Sequence, residues 1–229
     1  MGKVKIKKKE TRIDMTAMSD VTVLLLTFFM LTSTFLQKEP VQVITPPSVS
    51  EKKVPDSKLM SVLVAQDGKI FLELLGTKDS TLKSEDLREE ALKKAVAAYN
   101  ETHTNKVSLQ PKHVEALRKQ NAFGVPMSKL TQWLEMPIDE RDKALKTGGI
   151  PIEENFDITR PTEFQIWVNA VYKALEDAGA ADDMKKGTGI AIKADANTPY
   201  DRVQVVMNNL QTIKMNKFSL MTALKAEEE

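Results

Sequence analysis

MTAMSDVTVLLLTFFMLTSTFL, residues 15–36, is the stretch of this chain greasy enough to cross a membrane, and Asp20 is its sole ionisable residue. As a helix rising about 1.5 Å per residue it covers roughly 33 Å, against about 30 Å of bilayer hydrocarbon. The run is therefore expected to span once. A carboxylate at that depth costs about 2.5–3.5 kcal/mol on insertion scales, so an ionisable residue inside a span marks a functional site by default.

Working outward, Lys3, Lys5, Lys7, Lys8, Lys9 and Arg12 crowd the residues before the run, while Gln37, Lys38 and Glu39 follow it. The positive-inside rule then keeps the N-terminus in the cytoplasm and sends everything after residue 36 to the far side. Basic residues before an apolar core also describe a cleavable leader. Against that stand the length of the core, the acid within it, and the absence of an Ala-x-Ala site; Thr32-Ser33-Thr34 is the nearest approach. The basic tail reads as a topology signal that touches anionic membrane lipid, not as a nucleic-acid arm. Charge is otherwise balanced, 33 Lys+Arg against 32 Asp+Glu, and so points to no partner. With no cysteine, disulfide frameworks and thiolate metal sites are excluded.

Residues 37–58 carry Pro40, Pro46, Pro47 and Pro55 among Ser and charge, which favours an extended linker reaching roughly 68 Å at about 3.1 Å per residue. Within it, Val41-Gln42-Val43-Ile44 has strand composition and suits addition to a sheet edge, of a partner or of its own domain. Two β-rich runs, 59–65 and 69–75, flank Gln66-Asp67-Gly68 and predict a hairpin. Ser84 reads as an N-cap for a helix with Leu87, Ala91, Leu92, Ala95, Val96 and Tyr99 at helical spacing. From 101 to 160, prolines and Gly148-Gly149 break the pattern into helical pieces near 111–121, 127–135 and 138–146. Pieces so short seldom fold alone, and they read as a small helical insertion. Thr162 then begins a regular helix with Phe164, Trp167, Val168, Val171, Tyr172 and Leu175 on one buried face. A strand at 189–194, a helix opened by Pro199 and bearing Val203, Val206, Met207 and Leu210, and a strand at 217–224 close the chain. This order implies a small two-layer domain, helices on one face of a sheet.

Two blocks carry a resemblance. Ile13, Asp14, Met15, Thr16, Met18 and Asp20 match the transmembrane signature of the ExbD/TolR family of proton-channel subunits, with Ala17 and Ser19 as departures. IAIKADANTPYDRVQVVMNNL, ending in KFSLMT, is similar to that family's closing strand, helix and strand. The resemblance covers residues 12–75 and 161–224, not about 82–160. The implied fold is a single N-terminal transmembrane helix plus an α+β two-layer periplasmic domain, ExbD/TolR-like, with a helical insertion. Its expected parts are a cytoplasmic tail at 1–14, a helix at 15–36, a periplasmic linker at 37–58 and a domain at 59–229 with the insertion at about 82–160. The resemblance also implies a non-enzymatic subunit in the bacterial inner membrane that pairs with a second ExbD-like chain inside an ExbB-like ring. Such a complex uses proton-motive force to energise outer-membrane transport through a TonB-like protein. Coupling of the TolR or gliding type is the alternative within the family, and peptidoglycan is a further candidate partner. A membrane-anchored periplasmic binding module, with Asp20 dispensable, is the alternative of another class.

Burial in lipid or a dry interface disfavours the charged form of Asp20, and a hydrated path favours it. Alternating the two makes a proton carrier with no covalent step. Thr27 lies two turns on and is a candidate for the proton path; a hydroxyl bonded to its own backbone is the competing role. Asp14 reads as a boundary acid paired with Arg12. His103 and His113 lack ligands at metal spacing, and Gly187-Thr-Gly189 and Lys146-Thr-Gly-Gly149 read as turns, so no cofactor or metal is expected.

Overall fold

A computed structural model of the chain describes residues 15–32, 43–48, 59–76, 83–221 and 223–224. The chain divides into two compact units, Met1–Lys38 and Glu39–Glu229. The expected tail at 1–14 and the end of the apolar run at 33–36 lie outside the described residues, as do most of the linker's.

The first unit holds α1 (Met15–Thr32), long and apolar enough to cross a membrane, with none of its side chains buried. The second unit begins at β1 (Pro47–Ser48), then β2 (Met60–Val64) and β3 (Ile70–Leu74), paired antiparallel from Met60↔Leu74 to Val64↔Ile70. Their turn is the one the Asp-Gly pair predicts: Gly68 takes φ +79°, and Asp67 Oδ1 accepts the Lys69 N–H at 3.2 Å. After α2 (Ser84–Thr102) and α3 (Pro111–Arg118) comes β4 (Ala122–Phe123). A 3-10 turn (Met127–Lys129) leads into α4 (Leu130–Glu135) and α5 (Ile138–Thr147). Then follow α6 (Glu163–Asp177), α7 (Ala181–Lys186), β5 (Ile190–Ala194), α8 (Tyr200–Thr212), β6 (Ser219–Met221) and β7 (Ala223–Leu224).

The main sheet runs β4-β3-β2-β5-β6, with β5 parallel to both β2 and β6. A parallel pair needs a crossover, and α8 supplies the one between β5 and β6. Register separates the two faces, because side chains alternate along a strand. Met60, Val62 and Val64 share one face with Ile70, Leu72, Leu74, Ile190 and Ile192, and all are essentially buried. The other face mixes Leu63 and Phe71 with Ser61, Glu73 and Lys193. The apolar strand face and the buried sides of α2, α6 and α8 belong to one continuous core.

Helix α6 forms where its cap says it should. Thr162 Oγ1 accepts the Gln165 N–H, and the Gln165 side chain returns to the Thr162 N–H, a complete capping box. Trp167 on its buried face is fully enclosed, with its ring 4.6 Å from that of Phe123 in β4.

Several boundaries differ from the sequence expectation. Ser84 is the first residue of α2 instead of its cap; Lys83 caps, and the Ser84 hydroxyl donates to the Leu75 carbonyl. Pro199 is the N-cap of α8 and not its first residue. The closing strand is two short ones, β6 on the main sheet and β7 paired in parallel with β1. The stretch 101–160 contains the three expected helical pieces, and it also supplies β4 and, through Ile150, an antiparallel bridge to Ile70. Helix α2 packs along α6 as part of the main helical layer.

Candidate functional site

On α1 the hydroxyls satisfy themselves. Ser19, Thr22, Thr27 and Thr32 donate to the carbonyls of Met15, Met18, Leu24 and Phe28 at 2.7, 2.6, 2.9 and 2.8 Å. This is how a hydroxyl survives in hydrocarbon, where an unpaired polar group costs several kcal/mol. An ionised carboxylate only accepts, so Asp20 has no equivalent escape, and no described residue pairs with it. At about 100° per residue, Thr16 and Thr27 fall within about 40° of Asp20 around the helix. The three form a polar edge, and Asp20 is the sole acid on it among the described residues. Thr27 at rest bonds to its own backbone, the competing role noted for it above. Asp14, Arg12 and Thr34 lie outside the described residues.

A second acid is placed very differently. Asp195, in the turn after β5, accepts the Asn197 N–H on Oδ1 and the Ile44 N–H on Oδ2, both at 2.9 Å. The Asn197 and Ile44 N–H groups hold its carboxyl below the usual carboxylate range. Ile44 O in turn accepts the Ala196 N–H at 2.7 Å, so the linker residue Ile44 is tied on both sides to one turn of its own domain. Strand-like composition at 41–44 pointed to an edge; the partner is the Asp195 turn, and Val43 is buried beside it.

Sequence reasoning missed the buried polar groups that hold the loops. The Arg88 guanidinium, 5% exposed, donates to the carbonyls of Leu74 and Arg118 and to Asn121 Oδ1, joining α2, β3 and the end of α3. Asn209 Nδ2 donates to the carbonyls of Glu153 and Val205, and Thr162 Oγ1 donates to Asn209 Oδ1. His113 Nδ1 accepts the Gln110 N–H, and its Nε2 lies 3.2 Å from Glu135 Oε1. His103 stacks on Tyr99 at 4.1 Å. Both histidines thus serve packing and capping where they stand. Gly187 ends α7 in the left-handed region at φ +86°, a turn as expected.

The described chain thus joins an apolar helix bearing one acid to a mixed α+β domain. Residues 7–117 match the family described as Biopolymer transport protein ExbD/TolR, and over this stretch the chain is similar to that family. The match takes in α1 and Asp20, the β2–β3 hairpin, α2 and α3. It therefore runs through 82–117, where no resemblance was expected, and does not include 161–224, where one was. No curated protein and no solved structure matches the chain. Family and apolar helix together indicate a single-pass membrane protein that energises biopolymer transport.

Proposed function

We propose that this chain is a proton-motive-force-harvesting motor subunit of the ExbD type, with Asp20 as its proton carrier. The observation that carries the reading is that the one acid in the membrane helix has no partner among the described residues, within the stretch matched to the family. Lipid or a dry helix interface holds the side chain neutral, and a hydrated path takes its proton. Moving one charge across the membrane is worth about 2.3 kcal/mol per 100 mV, enough to bias a helix rotation against a neighbour. Thr27, on the same edge, lines the path when its hydroxyl leaves the Leu24 carbonyl. The neighbour is an ExbB-like ring subunit, and a second copy of this chain shares the ring. Protons enter from the periplasmic side, the N-terminus faces the cytoplasm, and a TonB-like protein receives the motion across the bacterial inner membrane.

The test is substrate uptake through a TonB-type outer-membrane transporter in cells carrying Asp20→Asn. Uptake falls to the level seen when proton-motive force is collapsed, with the protein still inserted. Undiminished uptake with the envelope intact would overturn the reading and favour a plain membrane anchor. If uptake survives while envelope integrity fails, the coupling is of the TolR type.

A further inference from the structure

The domain contains a cleft of about 520 Å³ between the β2–β3 turn and the stretch from β4 to residue 152. Val125, Trp133, Met136 and Ile150 give it an apolar lining. Three cations, Lys69, Lys129 and Arg202, stand on it against one carboxylate, Asp67, which is already paired with Lys69 at 2.7 Å. Lys129 and Arg202 are exposed and have no ion-pair partner among the described residues. The volume falls within the range of about 300–1,000 Å³ typical of ligand sites, and the lining has their usual make-up, apolar with a few charged groups.

Glycines build its walls. A side chain at Gly148 would bring Cβ to 2.8 Å from the Gly124 carbonyl oxygen, and one at Gly149 to 3.0 Å from Lys69 Cβ. The pair Gly148-Gly149 thus lets an extended strand of backbone run close beside β3, joined to it where the Ile150 N–H donates to the Ile70 carbonyl at 2.9 Å. The Arg202 stem lies across Gly68 of the hairpin turn, where an added Cβ would meet its Cγ at 3.1 Å, and this fixes where the guanidinium starts. Apart from the turn Asp67-Gly68-Lys69, every lining residue lies beyond 117, outside the stretch matched to the family.

We infer that this cleft binds an acidic peptide segment of a partner polypeptide, seating an apolar side chain over Met136 and Ile152 and its carboxylates on Lys129 and Arg202. Charge complementarity selects the anion, since the site has two unpaired cations and no free acid. The extended wall at 148–152 suits a peptide laid along it. Asp20 plays no part in this, so the two readings stand or fall separately.

The probe is a synthetic peptide of alternating leucine and glutamate with blocked ends and a neutral fluorophore. Its binding to the full chain in detergent is read by anisotropy. The glutamate peptide binds at least about tenfold more tightly than its glutamine counterpart, and the double reversal Lys129→Glu with Arg202→Glu removes that preference. Ala144→Trp, which fills the cleft and leaves its charges in place, weakens binding as well, and Lys143→Glu, outside the cleft, leaves it unchanged. Thermal melting of each variant separates lost binding from lost fold. The inference is overturned if the two peptides bind alike, if the double reversal keeps the preference in a folded protein, or if Lys143→Glu is as damaging as the rim reversals.

Discussion

Asp195 receives two main-chain N–H groups from its own domain, whereas Asp20 receives nothing from any described residue of its own chain. The first acid is finished by the fold around it. The second sits on a helix with no buried side chain, where hydroxyls are satisfied locally and the carboxylate is not. The same residue type thus serves as a clamp where backbone donors converge on it, and as a group in search of a partner where they do not. Structure that is complete within one chain points to stability; a costly group left incomplete points to function with other chains.

If the domain is complete in itself, damage to its core should be large and independent of the membrane helix. Trp167→Ala is expected to lower domain stability by about 3–5 kcal/mol in denaturant unfolding, because it empties the fully buried site packed on Phe123. Trp167→Phe should cost much less: Nε1 has no hydrogen-bond partner, so the change removes an unsatisfied donor along with some volume. A cost as large as alanine's would show that the indole nitrogen is satisfied in solution. A smaller effect is expected at the α6 cap. Thr162→Ala removes the acceptor for the Gln165 N–H and the bond to Asn209, for a loss of about 1 kcal/mol. Thermal melting would read it, and an unchanged midpoint would mean the capping box contributes nothing there.

The smallest effect lies at Asp195 and sharpens the comparison most. Its carboxyl is held below the ordinary range, so what it contributes is fully present above the unfolded value of about 3.9 and is lost as pH falls through the folded one. The Ile44 amide resonance, followed by NMR on acidification, should therefore shift with a midpoint below that of an ordinary aspartate. Asp195→Ala should abolish the titration. A midpoint at or above the ordinary value would mean that Ile44 is not tied to the turn.

The local signals were legible. Asp67-Gly68 announced the hairpin, Thr162 the start of α6, and the run at 189–194 a strand. Each rests on chemistry that acts over a few residues. What could not be read depends on distant neighbours: β4 is two residues long and exists because β3 offers an edge, and Arg88 looks like any surface arginine on an amphipathic helix until Leu74 and Arg118 present their carbonyls. The docking of Ile44 on Asp195 joins positions 151 apart in sequence. Of the candidate site, Asp20 was legible because a single acid in an apolar run stands out in any sequence. The cleft was not, since its cations are scattered from 69 to 202 and only the fold collects them.

Proton flux tests the central claim most directly. With the chain reconstituted alongside the ExbB-like ring subunit proposed for it, in vesicles bearing a membrane potential, a pH-sensitive dye inside should report acidification with the native protein. With Asp20→Asn the signal should fall to that of vesicles lacking the complex. Equal flux from the two would contradict the account, because it would place the proton path on a group other than Asp20.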